Sequence, residues 1–324
     1  MQNSGKTFRI GKLTGKGSLG GFCAFRNDVS AQTNTWQVGN SDNCKFEGIF
    51  TSNDNFTKVG TGELTVTGAW NSTGAINISA GNIRLGTGGS LGTGALTVAN
   101  NASLTGVSDT KVALANSSIT INGTVQPGES ATATSGNLNF GGKNVTIGKT
   151  AKVVIGIRKG ATDYSINNSY LKNIGTLKLA AGTTIGAVIT QKNLEKLTTD
   201  EAVADSFYVW TDVQKVTIAG ELNFDLPQLL PYNYWDTSRI SEGILYVRCD
   251  AAKYQEFLTG IETIPASENV CVKVIASNGI PVATFTCSMD SVSNTFAKTE
   301  LPQGIYLLRI QSKTGKKATL KMKK

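Results

Sequence analysis

The stretch Thr57–Leu85, TKVGTGELTVTGAWNSTGAINISAGNIRL, decides the fold. Leu64-Thr-Val66, Ile76-Asn-Ile78 and Ile83-Arg-Leu85 each place two apolar residues two apart, which puts both on one face of a strand. Gly, Asn, Ser and Thr fill the gaps between them and read as tight turns. Three short strands joined in this way make a triangular coil, and stacked coils pair strand on strand, in parallel, around a narrow core.

The pattern repeats outward. Strands starting at Leu64, Ile83, Leu104 and Val125 are separated by 19, 21 and 21 residues, close to one coil each. Between them lie Ile76–Ile78, Leu96–Val98, Val112–Leu114 and Ile119–Ile121. Upstream, Phe8–Ile10, Phe22–Phe25, Trp36–Val38 and Phe46–Phe50 are short apolar segments of the same kind. Downstream the pattern resumes at Leu138–Phe140, Val145–Ile147, Val153–Ile155, Leu177–Leu179 and Ile185–Ile189. Ala161–Asn173 is a polar insertion with Tyr164 and Tyr170, and Lys192–Ser206 carries the spacing of a helix.

The unit also resembles the autotransporter-associated β-strand repeat, through Lys58, Gly60, Gly62, Leu64, Val66, Gly68, Gly74, Ile76, Ile78, Ala80, Gly81 and Leu85 in order. The resemblance implies a right-handed parallel β-helix in an exported protein. It names an architecture and no reaction.

After Phe224 the texture changes. Trp235-Asp-Thr-Ser238, then Gly243, Leu245 and Val247, resembles the closing segment of such β-helices in exported proteins of the Bacteroidetes type. Trp235, Tyr232 and Tyr234 are expected to cover the last coil, whose open strand edges would otherwise invite another chain. Asp236 either pairs with Arg239 or caps its own turn. Residues 248–268 read as a linker with a short amphipathic piece, Lys253–Leu258.

Residues 269–324 read as a separate small antiparallel β-sandwich. Val270-x-Val272-x-Val274 alternates, Ser277-Asn-Gly279 turns, Pro281–Cys287 returns, Phe296 begins a third segment and Leu301–Ile310 forms the strongest strand. This block resembles the type A C-terminal sorting domain of the type IX secretion system, through Leu301, Gly304, Ile305, Tyr306, Leu307, Lys316, Lys317, Leu320 and Lys324. The family's early Pro-Asn-Pro block is absent. The resemblance implies a sorting motif at Gly304, Ile305, Tyr306, Leu307, Lys316 and Lys317, with the secretion machinery as partner.

Composition narrows the chemistry. The 324 residues include 36 Gly, 6 Pro and no His, with a net charge of +8. Without imidazole there is no Ser-His-Asp or Cys-His nucleophile. Cys23, Cys44, Cys249, Cys271 and Cys287 form no C-x-x-C, which argues against zinc and redox motifs. Cys271 and Cys287 fall on neighbouring strands, which leaves a disulfide open, while buried small hydrophobes are the simpler expectation. Gly15-Lys-Gly-Ser-Leu-Gly20 matches a dinucleotide-loop spacing, but a strand rather than a helix follows, so a turn is expected. Part of the basic excess is a C-terminal lysine tail and no helix carries a basic stripe, which argues against nucleic acid. The N-terminus lacks the apolar run of a signal peptide, and no stretch has the length and apolarity of a membrane-spanning helix. Because the repeat pattern is already running at residue 1, a longer exported parent protein is expected.

The sequence therefore predicts an all-β chain: a right-handed parallel β-helix stalk over 1–247, a linker, and a small antiparallel β-sandwich. The functional expectation is an extracellular or outer-membrane-surface protein with a structural, adhesive or glycan-contacting role, no cofactor and no metal. The alternative is the non-catalytic C-terminal part of a larger secreted polysaccharide lyase or glycoside hydrolase. Catalysis within the coils is disfavoured because Leu64–Ile155 contains only Asp109 and Glu129 as acidic residues, on different turns.

Overall fold

The computed structural model of the chain describes residues 5–19, 33–107, 114–128, 136–159, 168–259 and 264–324. It is all-β and divides into two compact units, the first comprising Met1–Leu197, Ala204–Gln228 and Trp235–Val247, the second Thr198–Val203, Leu229–Tyr234 and Arg248–Lys324.

The first unit is a parallel β-helix built on a nine-stranded and an eight-stranded sheet, visited alternately by the chain. Their registers form two unbroken inward columns. In the nine-stranded sheet Phe8, Trp36, Phe56, Ile76, Leu96, Ile119, Val145, Leu177 and Val216 stack in turn. In the eight-stranded sheet Cys44, Leu64, Ile83, Leu104, Val125, Val153, Ile185 and Phe224 do the same. From Phe56 to Leu177 and from Leu64 to Ile185 these side chains are all but fully buried. Each coil thus lends its inward residues to the coil on either side, and no coil has a core of its own.

The third side of the coil differs from the expectation. Ile83–Leu85 pairs directly on Leu64–Val66 and is the same side one coil later. The third side is instead the two-residue strand Ala69–Trp70, paired with Ser90–Leu91. Trp70 fills the corner against Phe50 (5.3 Å) and Phe56 (4.8 Å). One bulky ring supplies the apolar contact that two smaller residues would otherwise provide, so no alternating run marks this strand.

The Lys-x-Gly-x-Gly segment makes a corner. Lys58 is 1% exposed, and its Nζ donates to the carbonyls of Val59 (2.7 Å) and Gly60 (3.0 Å), with Ala80 of the next coil at 3.4 Å. Burial pushes its pKa below the ordinary lysine value. Gly60 and Gly81 lie one above the other with φ of +69° and +68°, and a Cβ on Gly81 would fall 2.4 Å from the Gly60 carbonyl oxygen. Both the backbone angle and the close approach require glycine there.

Three other expectations change. Of Lys192–Ser206 only Gln191–Leu194 is helical, and Asp205–Tyr208 is a strand. Thr198 and Asp200 bond each other's backbone, and Asp200 accepts from the Ala202 N–H at 2.9 Å, so local side-chain bonds compete with the helix. Tyr170 lies in the strand Ser169–Leu179, while most of the 161–173 insertion, including Tyr164, falls outside the described residues, as do Phe22–Phe25, Val112 and Cys23. Gly15–Leu19 runs as a bridge to Phe46 and a two-residue strand, with no helix behind it.

In the second unit, Lys253–Leu258 lies in the helix Ala251–Thr259. The chain then builds a four-stranded antiparallel sheet in the order Pro281–Ser288, Asn269–Ala276, Ile305–Ser312, Lys317–Lys323. Its inward residues Val270, Val272, Val274, Tyr306, Leu308 and Ile310 pack against Ile264 and against Val292 and Phe296. Val292 and Phe296 belong to the helix Val292–Ala297, so the layer facing the sheet is a short helix where a second sheet was expected. Phe296 and Val292, four apart, supply one apolar helix face. Cys271 and Cys287 do not pair. Cys271 is opposite Thr286 and Cys287 opposite Val270, so the two thiols point to opposite faces of the sheet.

Candidate functional site

The two sheets of the β-helix differ on their outer faces. In the nine-stranded sheet the outward column runs Gln37, Thr57, Asn77, Thr97, Thr120, Thr146 in register. The rank two residues before it is Thr35, Asn55, Ala75, Ala95, Ser118 and Asn144. Neither rank holds a charge. Arg9 precedes the column, its Nε donating to the Gln37 side-chain oxygen at 2.7 Å, and Lys178 follows it opposite Thr146. With strands about 4.8 Å apart, the result is a regular ladder of small, half-buried hydroxyl and amide groups over six successive coils.

The outer face of the eight-stranded sheet is charged and internally paired. Arg84 grips Glu63 through two bonds of 2.7 and 2.6 Å, and Asn82 bonds both Glu63 (2.7 Å) and Thr105 (2.9 Å). Desolvation works against the Glu63 carboxylate, but the bonds from Arg84, Asn82 and Thr65, together with the Arg84 charge, hold it below the usual carboxylate range. Further along, Lys152 pairs with Asp225 at 2.8 Å. A buried pair, Lys159–Asp205 at 2.7 Å, is enclosed between strands and presents no accessible reactive atom. Among the described residues no three His, Cys, Asp or Glu side chains converge to hold a metal ion.

The aromatic segment after Phe224 is placed as follows. Trp235 packs edge-on to Phe207 (6.4 Å) and donates its indole N–H to the Pro227 carbonyl at 2.9 Å. Asp236 accepts from the Ser238 N–H at 2.9 Å, so it caps its own turn, while Arg239 pairs with Glu242. Tyr232 is buried against Tyr254 (4.8 Å) and Phe257 (5.0 Å) of the helix Ala251–Thr259. Tyr234 is 49% exposed, which corrects the expectation that it covers the last coil. It alternates with buried Asn233 along the strand Asn233–Asp236, and the two-residue period turns it to solvent.

The six residues of the proposed sorting motif sit at the second unit's sheet. Gly304 leads into the strand Ile305–Ser312. Tyr306 points inward, edge-on to Phe296 (5.8 Å), and its hydroxyl donates to the Pro302 carbonyl at 2.8 Å. Ile305 and Leu307 point outward and are 50% and 42% exposed. Lys316 follows the turn, and Lys317 opens the last strand on the outer face. That face forms a groove of about 510 Å³ whose lining includes Cys271, Lys273, Thr284, Arg309, Gln311 and Lys317. Lys273 and Arg309 had drawn no attention in the sequence. The signal for them was there: a chain with Val270, Val272 and Val274 inward must present Lys273 outward, and Leu308 and Ile310 inward do the same for Arg309.

No family model, curated protein or solved structure matches the chain.

Proposed function

We propose that the chain is an exported or cell-surface β-helix protein that contacts neutral glycans along its uncharged outer ladder, and that its C-terminal unit serves in sorting and anchoring. The observation that carries the reading is the ladder Gln37–Thr57–Asn77–Thr97–Thr120–Thr146. A neutral polysaccharide offers hydroxyl groups at a regular repeat and no charge. A column of hydroxyl and amide groups at a fixed spacing meets it with one weak hydrogen bond per coil, and the repeated contacts add as a multivalent set. The sorting role rests on the outward Ile305 and Leu307 and the lysines around them, on the segment that resembles type IX sorting domains.

Two experiments test this reading. On an array of neutral and acidic polysaccharides the protein is expected to bind neutral members without releasing products; release of unsaturated or hydrolysed sugars would overturn the structural reading in favour of an enzyme. In the source cell, deletion of 269–324 is expected to abolish surface exposure, and unchanged exposure would remove the sorting role.

A further inference from the structure

The outer face of the four-stranded C-terminal sheet carries Lys273, Arg309, Lys317, Lys321 and Lys323, and no Asp or Glu occupies an outward position on its strands. Lys273 and Arg309 stand directly opposite each other on adjacent strands. Like charges in that relation oppose folding. Neither forms an ion pair within the described residues, and both line the groove. One row along, Leu307 is opposite Lys321, and Ile305 is opposite Lys323. Leu307, Ile305 and Val282 are 42%, 50% and 42% exposed, on the side of the face next to the cations. The sheet's other face is covered by the helix Val292–Ala297; this one is uncovered.

We infer that this face docks an acidic amphipathic helix of a partner protein. A sheet with one helical layer and a second, half-apolar face accepts another helix by ordinary two-layer packing. The adjacent cationic and aliphatic rows call for a partner with carboxylates beside an apolar stripe. A polyanion without apolar side chains would leave Leu307, Ile305 and Val282 in water, and a neutral glycan would leave five cations without counter-charge. The inference does not depend on the glycan ladder or on an export role.

The test uses the full chain and two synthetic helical peptides, one with a leucine stripe flanked by glutamates, the other with those leucines replaced by serine. Heparin is the third probe. The leucine–glutamate helix is expected to bind at least about tenfold more tightly than the other two, and the binding should weaken with salt. Lys273→Glu with Arg309→Glu, and separately Leu307→Ser, should each reduce its affinity by about tenfold or more, while Lys215→Glu on the β-helix should not. The single variant Lys273→Glu serves as the folding control. It places opposite charges across the strands, so its thermal midpoint should be unchanged or raised while helix binding falls. Equal affinity of the wild type and the charge-reversed protein for the helix would overturn the inference. So would equal binding of heparin, which would make the face a general polyanion site.

Discussion

Replacing Lys58 by methionine sets two opposing effects against each other at one corner of the β-helix. The ammonium is buried and donates to the carbonyls of Val59, Gly60 and Ala80. Methionine nearly preserves length and volume, so the cavity contribution is small. Three buried acceptors then lose their donor, at about 1–3 kcal/mol for each group left unsatisfied. Against this stands relief from burying a charge, worth several kcal/mol in general. Space decides the balance. A Cβ on Gly39 or Gly81 would lie 3.1 or 2.9 Å from the Lys58 Nζ, so the corner is closed and water has no room to replace the lost donor. The expected net loss is about 2–4 kcal/mol. At roughly 2–4 °C per kcal/mol for a unit of this size, the thermal midpoint should fall by roughly 5–15 °C. Circular dichroism melts of Lys58→Met against the exposed control Lys149→Met would measure it. A midpoint at or above the wild-type value would refute the argument and show that desolvation of the ammonium outweighs its bonds.

Other consequences are as direct. Gly81→Ala combines a positive φ with a close approach to the Gly60 carbonyl and should cost at least about 2 kcal/mol, read as a lowered midpoint in the same melts. Glu63 titrates below its ordinary value of 4.5 in the folded protein. Its contribution to stability is therefore complete above that value and lost as the pH falls through the lower, folded pKa. The midpoint difference between wild type and Glu63→Gln should accordingly be largest near neutrality and shrink in acid. Cys271 is exposed and Cys249 buried, so a thiol reagent should label Cys271 in the folded protein and Cys249 only after denaturation. Non-reducing peptide mapping should find no Cys271–Cys287 bridge.

The core of the β-helix was legible because it rests on a two-residue period. Leu64, Ile83, Leu104 and Val125, spaced in the sequence at roughly one coil, are consecutive partners in the eight-stranded sheet. The third side was misread because Ala69–Trp70 is too short to show alternation and achieves burial with a single ring. The long strands Gly136–Ile147 and Ser169–Leu179 were seen only in part, since glycine, asparagine and lysine interrupt the apolar rhythm at register shifts. The C-terminal strands were clear, whereas the helix Val292–Ala297 offered only two buried residues and no side-chain cap. The surfaces were harder to read than the core. Thr57, Asn77, Thr97 and Thr120 look like ordinary solvated residues one at a time, and become a ladder only when the register aligns them. Lys58 stood out in the sequence as one letter of a motif, and its task of bonding carbonyls of two coils appears only when the coils are stacked.

The most direct test of the account is a pull-down on insoluble neutral polysaccharide, comparing the wild type with the double variant Thr97→Lys, Thr120→Lys at low and high salt. Both substitutions lie on the exposed side of strands whose neighbours are fully buried, so the coils should stay intact. The account predicts that the wild type is retained to the same extent at both salt concentrations, because no charge is involved, and that the double variant loses at least about tenfold in affinity. Retention of the variant at wild-type level, or wild-type binding that disappears in salt, would contradict the claim that the uncharged ladder is the contact surface.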